Sequence, residues 1–371
     1  MKIAVDTFGC EHGKSGFGSY LINFISHIPE NVPFDFELFG SELDRYTYKS
    51  LKEFNFTSID IDDSLRAEKR WHKHKIHSFV KKQKYDLVIY PAIENVFPVK
   101  FKTKSVAVVN SIFSNVIKQN GKRAFRKIKK GLLNADLIIA ASDFLKNDLI
   151  KNDIPENKIK VIHNGIDHKK FFPSLDLESE FVEIKPFAIK KPYFVYGSSL
   201  SSEEKKHIQL IKAFEIFKDR TNAPHRLVIS GNDGDYSEIV HKAAYNSKYS
   251  CDIFITGYIP HESFAQINSG ASACVFPSIN EGVGLPILEA MACGIPICCS
   301  SEGALKEIGA DVPFYFDSDN LVQIADCLEQ VQKNETLCKK KIAEGLERSK
   351  KFSWDYTVQE TLRSINNLLN D

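Results

Sequence analysis

Short apolar, β-branched runs alternate with longer amphipathic stretches along the chain, the pattern of βα units that build a mostly parallel sheet. In the first half the strand runs are KIAVD (2–6), FDFELF (34–39), DLVIY (86–90), SVAVV (105–109), DLIIAA (136–141) and KIKVI (158–162). Between Pro173 and Pro192 the periodicity fails, which predicts a charged, proline-flanked connector. A second series then begins: YFVYG (193–197), RLVIS (226–230), IFITG (253–257), ACVFP (273–277), IPICC (295–299) and FYF (314–316). Two helix-like stretches, 336–351 and 355–369, follow the last strand run. The pattern predicts an α/β protein of two similar domains, 1–168 and 169–352. The length of 371 residues agrees, because a single core usually stops growing before that size.

The segment richest in chemistry is FPSINEGVGLPILEAMACGIPICCS, 276–300, which reads as strand, glycine-rich loop, helix and strand. In the loop Glu281-Gly282-Val283-Gly284-Leu285-Pro286 the glycines allow backbone amides to approach a ligand, and Pro286 suits the first turn of a helix. Such a helix N-terminus favours an anion. Glu289 falls one turn into the helix, where its carboxylate could accept two hydrogen bonds from a vicinal diol such as ribose. Taken as an isolated turn, the same residues also fit two solvated acids beside an ordinary strand-to-helix connection.

Upstream, YGSSLSSEEKKHIQLIKAF (196–214) predicts a strand, a polar loop and an amphipathic helix opened by Lys205 and Lys206. His207, next in line, reads as a surface histidine at the helix start. The first strand also runs into a glycine-containing loop, Ser15-Gly16-Phe17-Gly18-Ser19-Tyr20. A full GxGxxG fingerprint is absent, and no acid ends a second strand about 20 residues on, which disfavours a dinucleotide oxidoreductase.

Together these segments resemble the retaining glycosyltransferases of the large family 4 group, in which two glutamates seven residues apart flank a glycine-rich loop and an EAMACG-like helix. Further likenesses are the TGIGRY-like turn after the first strand, the stretch ADLIIAASDFLKNDL and the interdomain-like VIHNGID. The resemblance implies a GT-B architecture, two Rossmann-like domains facing across a cleft that holds the active site, with the last helix, 353–371, packing back on the first domain. It implies that Glu281 contacts the donor sugar, that the amides of Gly282, Val283, Gly284 and Leu285 hold sugar and diphosphate, and that Glu289 binds ribose. Lys206, then Lys205, would neutralise the diphosphate, and the Gly16 amide would approach it from the first domain. The donor would be a UDP- or GDP-sugar, with no cofactor and no metal.

Two departures stand out. Many relatives carry His-Asp after the fourth strand run, and this chain has Asn110-Ser111, whose Asn110 amide can bind a sugar hydroxyl but cannot take up a proton. An arginine common before the lysine pair is replaced by Ser198-Ser199-Leu200. These departures motivate an alternative, a non-catalytic nucleotide-sugar-binding partner of another transferase. Nucleotide-sugar epimerases share the architecture but lack the EGVGLPILEAMACG segment.

Composition adds limits. Eight cysteines without a CxxC pair argue against a disulfide framework or a zinc site. Neither a signal peptide nor an apolar run of about 18 residues is present, which predicts a cytoplasmic location. The net charge of +1 argues against general attraction to nucleic acid. It conceals a local asymmetry: residues 66–84 carry eight Lys/Arg against one Glu, and 118–130 carry seven against none. Interleaved with Trp71, Ile76, Phe79 and Val80, they could lie on the anionic inner leaflet, which would make the acceptor a lipid-linked glycan of surface-polysaccharide assembly. They also fit solvated faces of ordinary helices, with a soluble glycan or a protein as acceptor.

Overall fold

A computed structural model of the chain describes residues 1–49, 51–174, 179–184 and 187–370. The chain divides into two compact units, Met1–Gly165 with Trp354–Asp371, and Ile166–Ser353.

The first unit is built on a seven-stranded sheet of β1 (Lys2–Asp6), β2 (Asp35–Gly40), β3 (Asn55–Ser58), β4 (Leu87–Tyr90), β5 (Lys104–Val109), β6 (Leu137–Ala140) and β7 (Ile159–Val161). The order is β3-β2-β1-β4-β5-β6-β7, parallel throughout. Parallel strands need covering on both faces, so they read as continuous apolar runs: Leu87–Tyr90 is buried at every position. One covering layer is the helix Gly16–Ser26, which buries Tyr20, Leu21, Phe24 and Ile25. The final helix, Trp354–Asn370, joins the same core through Trp354, Val358, Leu362 and Ile365. The Trp354 ring meets Tyr20 edge-on at 5.6 Å. Each such side chain contributes about 1.5–3 kcal/mol by leaving water.

The second unit carries β8 (Phe181–Ile184) and β9 (Phe187–Lys190), then β10 (Tyr193–Gly197), β11 (Arg226–Ser230), β12 (Ile253–Ile255), β13 (Ala273–Phe276), β14 (Ile297–Ser300) and β15 (Phe314–Phe316). The last six form a parallel sheet in the order β12-β11-β10-β13-β14-β15.

Two elements differ from the sequence reading. β3 escapes the hydrophobic pattern because an edge strand only four residues long, with no fully buried position, needs no apolar run. The stretch predicted as a plain connector holds an antiparallel hairpin, with Phe181 opposite Lys190 and Ile184 opposite Phe187. Among the described side chains only Ile184 and Ile189 of its apolar positions are buried, so the alternation was too weak to stand out. Residues 175–178 and 185–186, in the same stretch, lie outside the described residues.

The turn after β1 singles out a different glycine from the one the sequence suggests. A Cβ on Gly18 would stand 2.4 Å from the Cys10 carbonyl oxygen and 2.5 Å from the Gly13 Cα, whereas around Gly16 nothing lies within 4 Å. Gly18→Ala is therefore expected to cost about 1–3 kcal/mol by overpacking. Gly16→Ala should be nearly neutral. Thermal unfolding of both variants checks this, and equal melting temperatures would refute the close approach at Gly18.

Candidate functional site

In each sheet the chain runs outward from a central strand and then returns to that strand's other side. The reversal lies between β1 and β4 in one unit and between β10 and β13 in the other. Loops leaving the carboxyl ends of such a strand pair diverge, and the crevice they leave is where open α/β sheets bind ligands.

In the second unit the two loops are 198–206 and 277–284. The first turns through a short 3-10 segment, Glu203–Lys205, and Lys206 takes left-handed backbone angles (φ 56°) before the helix His207–Thr221 begins. Neighbours fix this turn: Tyr196 Oη donates to the Lys205 carbonyl at 2.8 Å, and the Ile279 amide donates to the Glu204 carbonyl at 3.1 Å. The Asn280 side-chain amide donates to the Glu204 carboxylate at 2.6 Å. The two divergent loops are thereby tied together.

Glu281 stands at the centre, its carboxylate 3.6 Å from the Lys205 ammonium. Its backbone is braced from β14's exit. The Ala304 amide donates to the Glu281 carbonyl at 2.8 Å, and a Cβ on Gly303 (φ 63°) would come within 2.3 Å of that same oxygen. Gly284, at φ 76°, ends the loop as N-cap of the helix Leu285–Ala292, with Pro286 in its first turn. Gly284 has no side chain with which to cap this helix, and a helix N-terminus favours an anionic acceptor. Glu289 lies buried on the same helix.

The structure thus gathers Glu281, Lys205, residues 282–285 and Glu289 on one loop and helix of the second unit and the turn facing it. Lys206 behaves differently from its neighbour. Its ammonium is 2.6 Å from Asp319, in the loop after β15, a partner that leaves no sign in the sequence because it lies 113 residues away. His207 corrects the surface reading: it is fully buried, packed on Tyr196 at 4.9 Å. Among the described residues neither ring nitrogen has a well-aligned partner. Burial pushes its pKa down to about 4, and the charge of Lys205 adds to this against the opposing backbone of Ser198. The ring is neutral at pH 7. At the position of the absent arginine, Leu200 is buried in the core.

In the first unit the loop after β1 is pinned from both sides. The Gly9 amide donates to the Glu68 carboxylate at 3.0 Å, and the Asn95 side chain donates to the Gly9 carbonyl at 2.8 Å. Beneath it, Asp6 and His72 meet at 2.6 Å, both buried, and burial raises the Asp6 pKa against the pull of His72. Ser15 caps the helix that Gly16 opens, accepting from the Gly18 amide at 3.1 Å.

Asn110, following β5, accepts from the Asn164 side chain at 3.1 Å, while its own side-chain NH₂ is buried with no partner among the described residues. Ser111 donates to Glu94, in the loop after β4. Burial pushes the Glu94 pKa up to about 7. Glu94 escaped the sequence reading, since one acid four residues past a strand carries no signal until the fold sets it beside Ser111. Gly16 and Asn110 stand on separate strand ends, after β1 and after β5. Among the described residues no group of three or more His, Cys, Asp or Glu side chains could hold a metal ion.

Comparisons with known proteins give the same outline. Residues 178–348 match the family described as glycosyl transferases group 1, and residues 46–170 match glycosyltransferase family 4. The O-antigen chain mannosyltransferase B of Escherichia coli is 27% identical over 241 residues, 64% of this chain. The match spans 62% of that relative's own length. A sucrose-phosphate synthase from Thermosynechococcus elongatus superposes with a TM-score of 0.77 over 100% of this chain and 99% of its own, at 16% identity. Anabaena HepE in complex with UDP-glucose gives 0.74 over 99% and 100%, also at 16%. With two parallel α/β units and both family matches in chain order, the protein has the GT-B fold and belongs to the group 1, family 4-type glycosyltransferases.

Proposed function

We propose that the chain transfers a hexose-type sugar from a nucleotide-sugar to a glycan acceptor with retention of anomeric configuration. The observation that carries this reading is the set of groups at the carboxyl ends of β10 and β13: Glu281 beside Lys205, a helix N-terminus opened by the glycine N-cap Gly284, and Glu289 buried one turn further on. Glu281 would accept from the donor sugar's hydroxyls, Glu289 from the ribose diol, and the amides of residues 282–285 would donate to the diphosphate. The charge released on the departing nucleoside diphosphate would fall on Lys206, Lys205 and the helix N-terminus, so catalysis would rest on positioning and electrostatics. A metal is not needed for that role. The Asn110 NH₂ is suited to hold a sugar hydroxyl, and Glu94 to orient its neighbour Ser111.

The E. coli relative's name supports a mannose-type sugar and surface-polysaccharide assembly, and the HepE complex supports a UDP-sugar. Thermal stabilisation by UDP-, GDP- and ADP-sugars discriminates among these, since a ligand at 100 times its Kd adds about 2.7 kcal/mol. Formation of glycosylated acceptor separates a transferase from a binding partner. Stabilisation without turnover on a full acceptor panel would favour the partner.

Glu289→Ala is expected to weaken the preferred nucleoside diphosphate by about 10–100-fold, the loss of charge-assisted hydrogen bonds to two hydroxyls. Alanine preserves the helix. Equal affinity in calorimetric titration would remove the ribose role.

Lys206→Ala should lower kcat about tenfold or more, and more than Lys205→Ala, because the Lys206 stem is buried and its backbone fixed. Parental rates in both variants would place the diphosphate clamp elsewhere.

For the acceptor we propose contact with an anionic membrane. Lys69 and Lys73, on the helix Leu65–His74, come close enough to Lys127, on the helix Val116–Asn134, to lower its pKa, an effect second to its burial. The two basic stretches therefore share one surface. Among the described residues no helix is long and apolar enough to cross a membrane. Each cation near an anionic surface contributes about 1 kcal/mol, so replacing Lys69, Lys73 and Lys127 by Gln should weaken binding to phosphatidylglycerol vesicles about a hundredfold. Sedimentation at low salt, reversed at high salt, is the expected result. If the parent protein stays in the supernatant at low salt, the membrane contact falls and a soluble glycan or a protein becomes the acceptor to test.

A further inference from the structure

A cavity of about 830 Å³ opens in the first unit between the loop after β3 and the helix Leu65–His74. Neither Asn110 nor Gly16 lines it, and the role of Lys69 and Lys73 leaves it unused. Its lining combines three kinds of group. Arg66, Arg70 and His74 follow one another at four-residue spacing, so they form a single row on the helix. Asp60 and Asp62 line the cavity too, and no ion pair joins either arginine to an acid among the described residues. Trp71 supplies an aromatic wall.

That wall is rigid. Trp71 packs against Phe8 at 5.3 Å, Phe79 at 5.4 Å and Phe39 at 6.2 Å, while remaining half-exposed. Phe8 follows β1 and Phe39 lies at the end of β2, so the cavity stands at the carboxyl end of the sheet, where open α/β sheets take ligands. The helix divides its cations between two jobs. Lys69 and Lys73 lie near Lys127, and Arg66, Arg70 and His74 line the cavity.

A flat ring, two guanidinium forks and two carboxylates select a particular ligand. The ring can cover the C–H face of a pyranose, the carboxylates accept from its hydroxyls, and the forks take a phosphate or carboxylate with two parallel hydrogen bonds each. The basic row beside it raises the local concentration of anions. A neutral sugar would leave both arginines unmatched, and a bare anion would leave the ring and the acids without a role.

We propose that this cavity binds an anionic sugar, one bearing a phosphate or a carboxylate group, and that this sugar belongs to the acceptor. The second clause rests on the transferase reading; the first does not. Calorimetric titration of the full chain with glucose 6-phosphate, glucuronate, glucose and inorganic phosphate tests it. Glucose 6-phosphate or glucuronate should bind at least about tenfold more tightly than glucose, the worth of one charge-assisted hydrogen bond. Whichever of the two binds more tightly identifies the anionic group. The double variant Arg66→Gln/Arg70→Gln, altered only at exposed positions, should lose at least that factor, and Trp71→Phe should retain most of it.

Three outcomes overturn the proposal: glucose binding as tightly as its charged relatives, inorganic phosphate matching glucose 6-phosphate, or the double variant keeping parental affinity. Stabilisation of the same variants by nucleotide-sugar separates the two readings. If anionic sugars bind in the cavity while no nucleotide-sugar stabilises the protein, the cavity stands and the transferase reading falls. If donor binds and turns over while no anionic sugar binds, the transferase reading stands and the cavity falls.

Discussion

The reversal of strand order beside β10 is the constraint from which the rest of the second unit's chemistry follows. A parallel sheet wound in one direction only would place every connecting helix so as to cover the carboxyl ends of its neighbours. Because the chain leaves β10 towards β11 and returns on the other side at β13, the loops after β10 and β13 part. Into that gap the sequence puts two lysines from one loop and Glu281, three further loop residues and a helix N-terminus from the other. The gap would be loose without cross-links. Glu204 closes it by receiving Ile279 on its carbonyl and Asn280 on its carboxylate.

Within that frame the backbone does the selecting. Gly284 and Gly303 take φ values of 76° and 63°, which side chains with a Cβ rarely adopt, and Gly303 also lies against the Glu281 carbonyl. Lys206 takes the same left-handed region although it is not glycine. Its carbonyl is kept by the Leu210 amide at 3.1 Å and its ammonium by Asp319, so the strain is held by partners at both ends of the residue. A residue fixed in this way presents its charge in one direction, as the proposed contact with a diphosphate would require.

How much of this was legible in the sequence depended on the range of the interaction. The strands of both sheets show because parallel, doubly covered strands such as Leu87–Tyr90 must be apolar at consecutive positions. The segment 276–300 shows because its strand, loop and helix are contiguous. β3 and the hairpin β8–β9 did not show, since edge and surface strands are released from that requirement. His207 was misread because its burial is imposed from outside its own helix, by Tyr196 on β10. Asp319 and Glu94 were invisible for a related reason: each matters only through a neighbour that the fold brings from another segment.

The buried His207 bears on how the diphosphate charge would be met. A histidine protonated at the start of the helix His207–Thr221 would place a cation in apolar surroundings against the positive end of the helix dipole, and both effects oppose it. With its pKa pushed down to about 4, the ring stays neutral and contributes bulk against Tyr196. The positive charge of this turn is carried by Lys205 and Lys206, whose ammonium groups lie beside the carboxylates of Glu281 and Asp319. Before any donor arrives, those carboxylates keep the lysines in place. An entering diphosphate, with more negative charge than one carboxylate and the helix N-terminus on its other side, would compete for the same ammonium groups. Glu281 would then be freed to accept from sugar hydroxyls, so that donor binding and the exposure of its own orienting group are one exchange of partners.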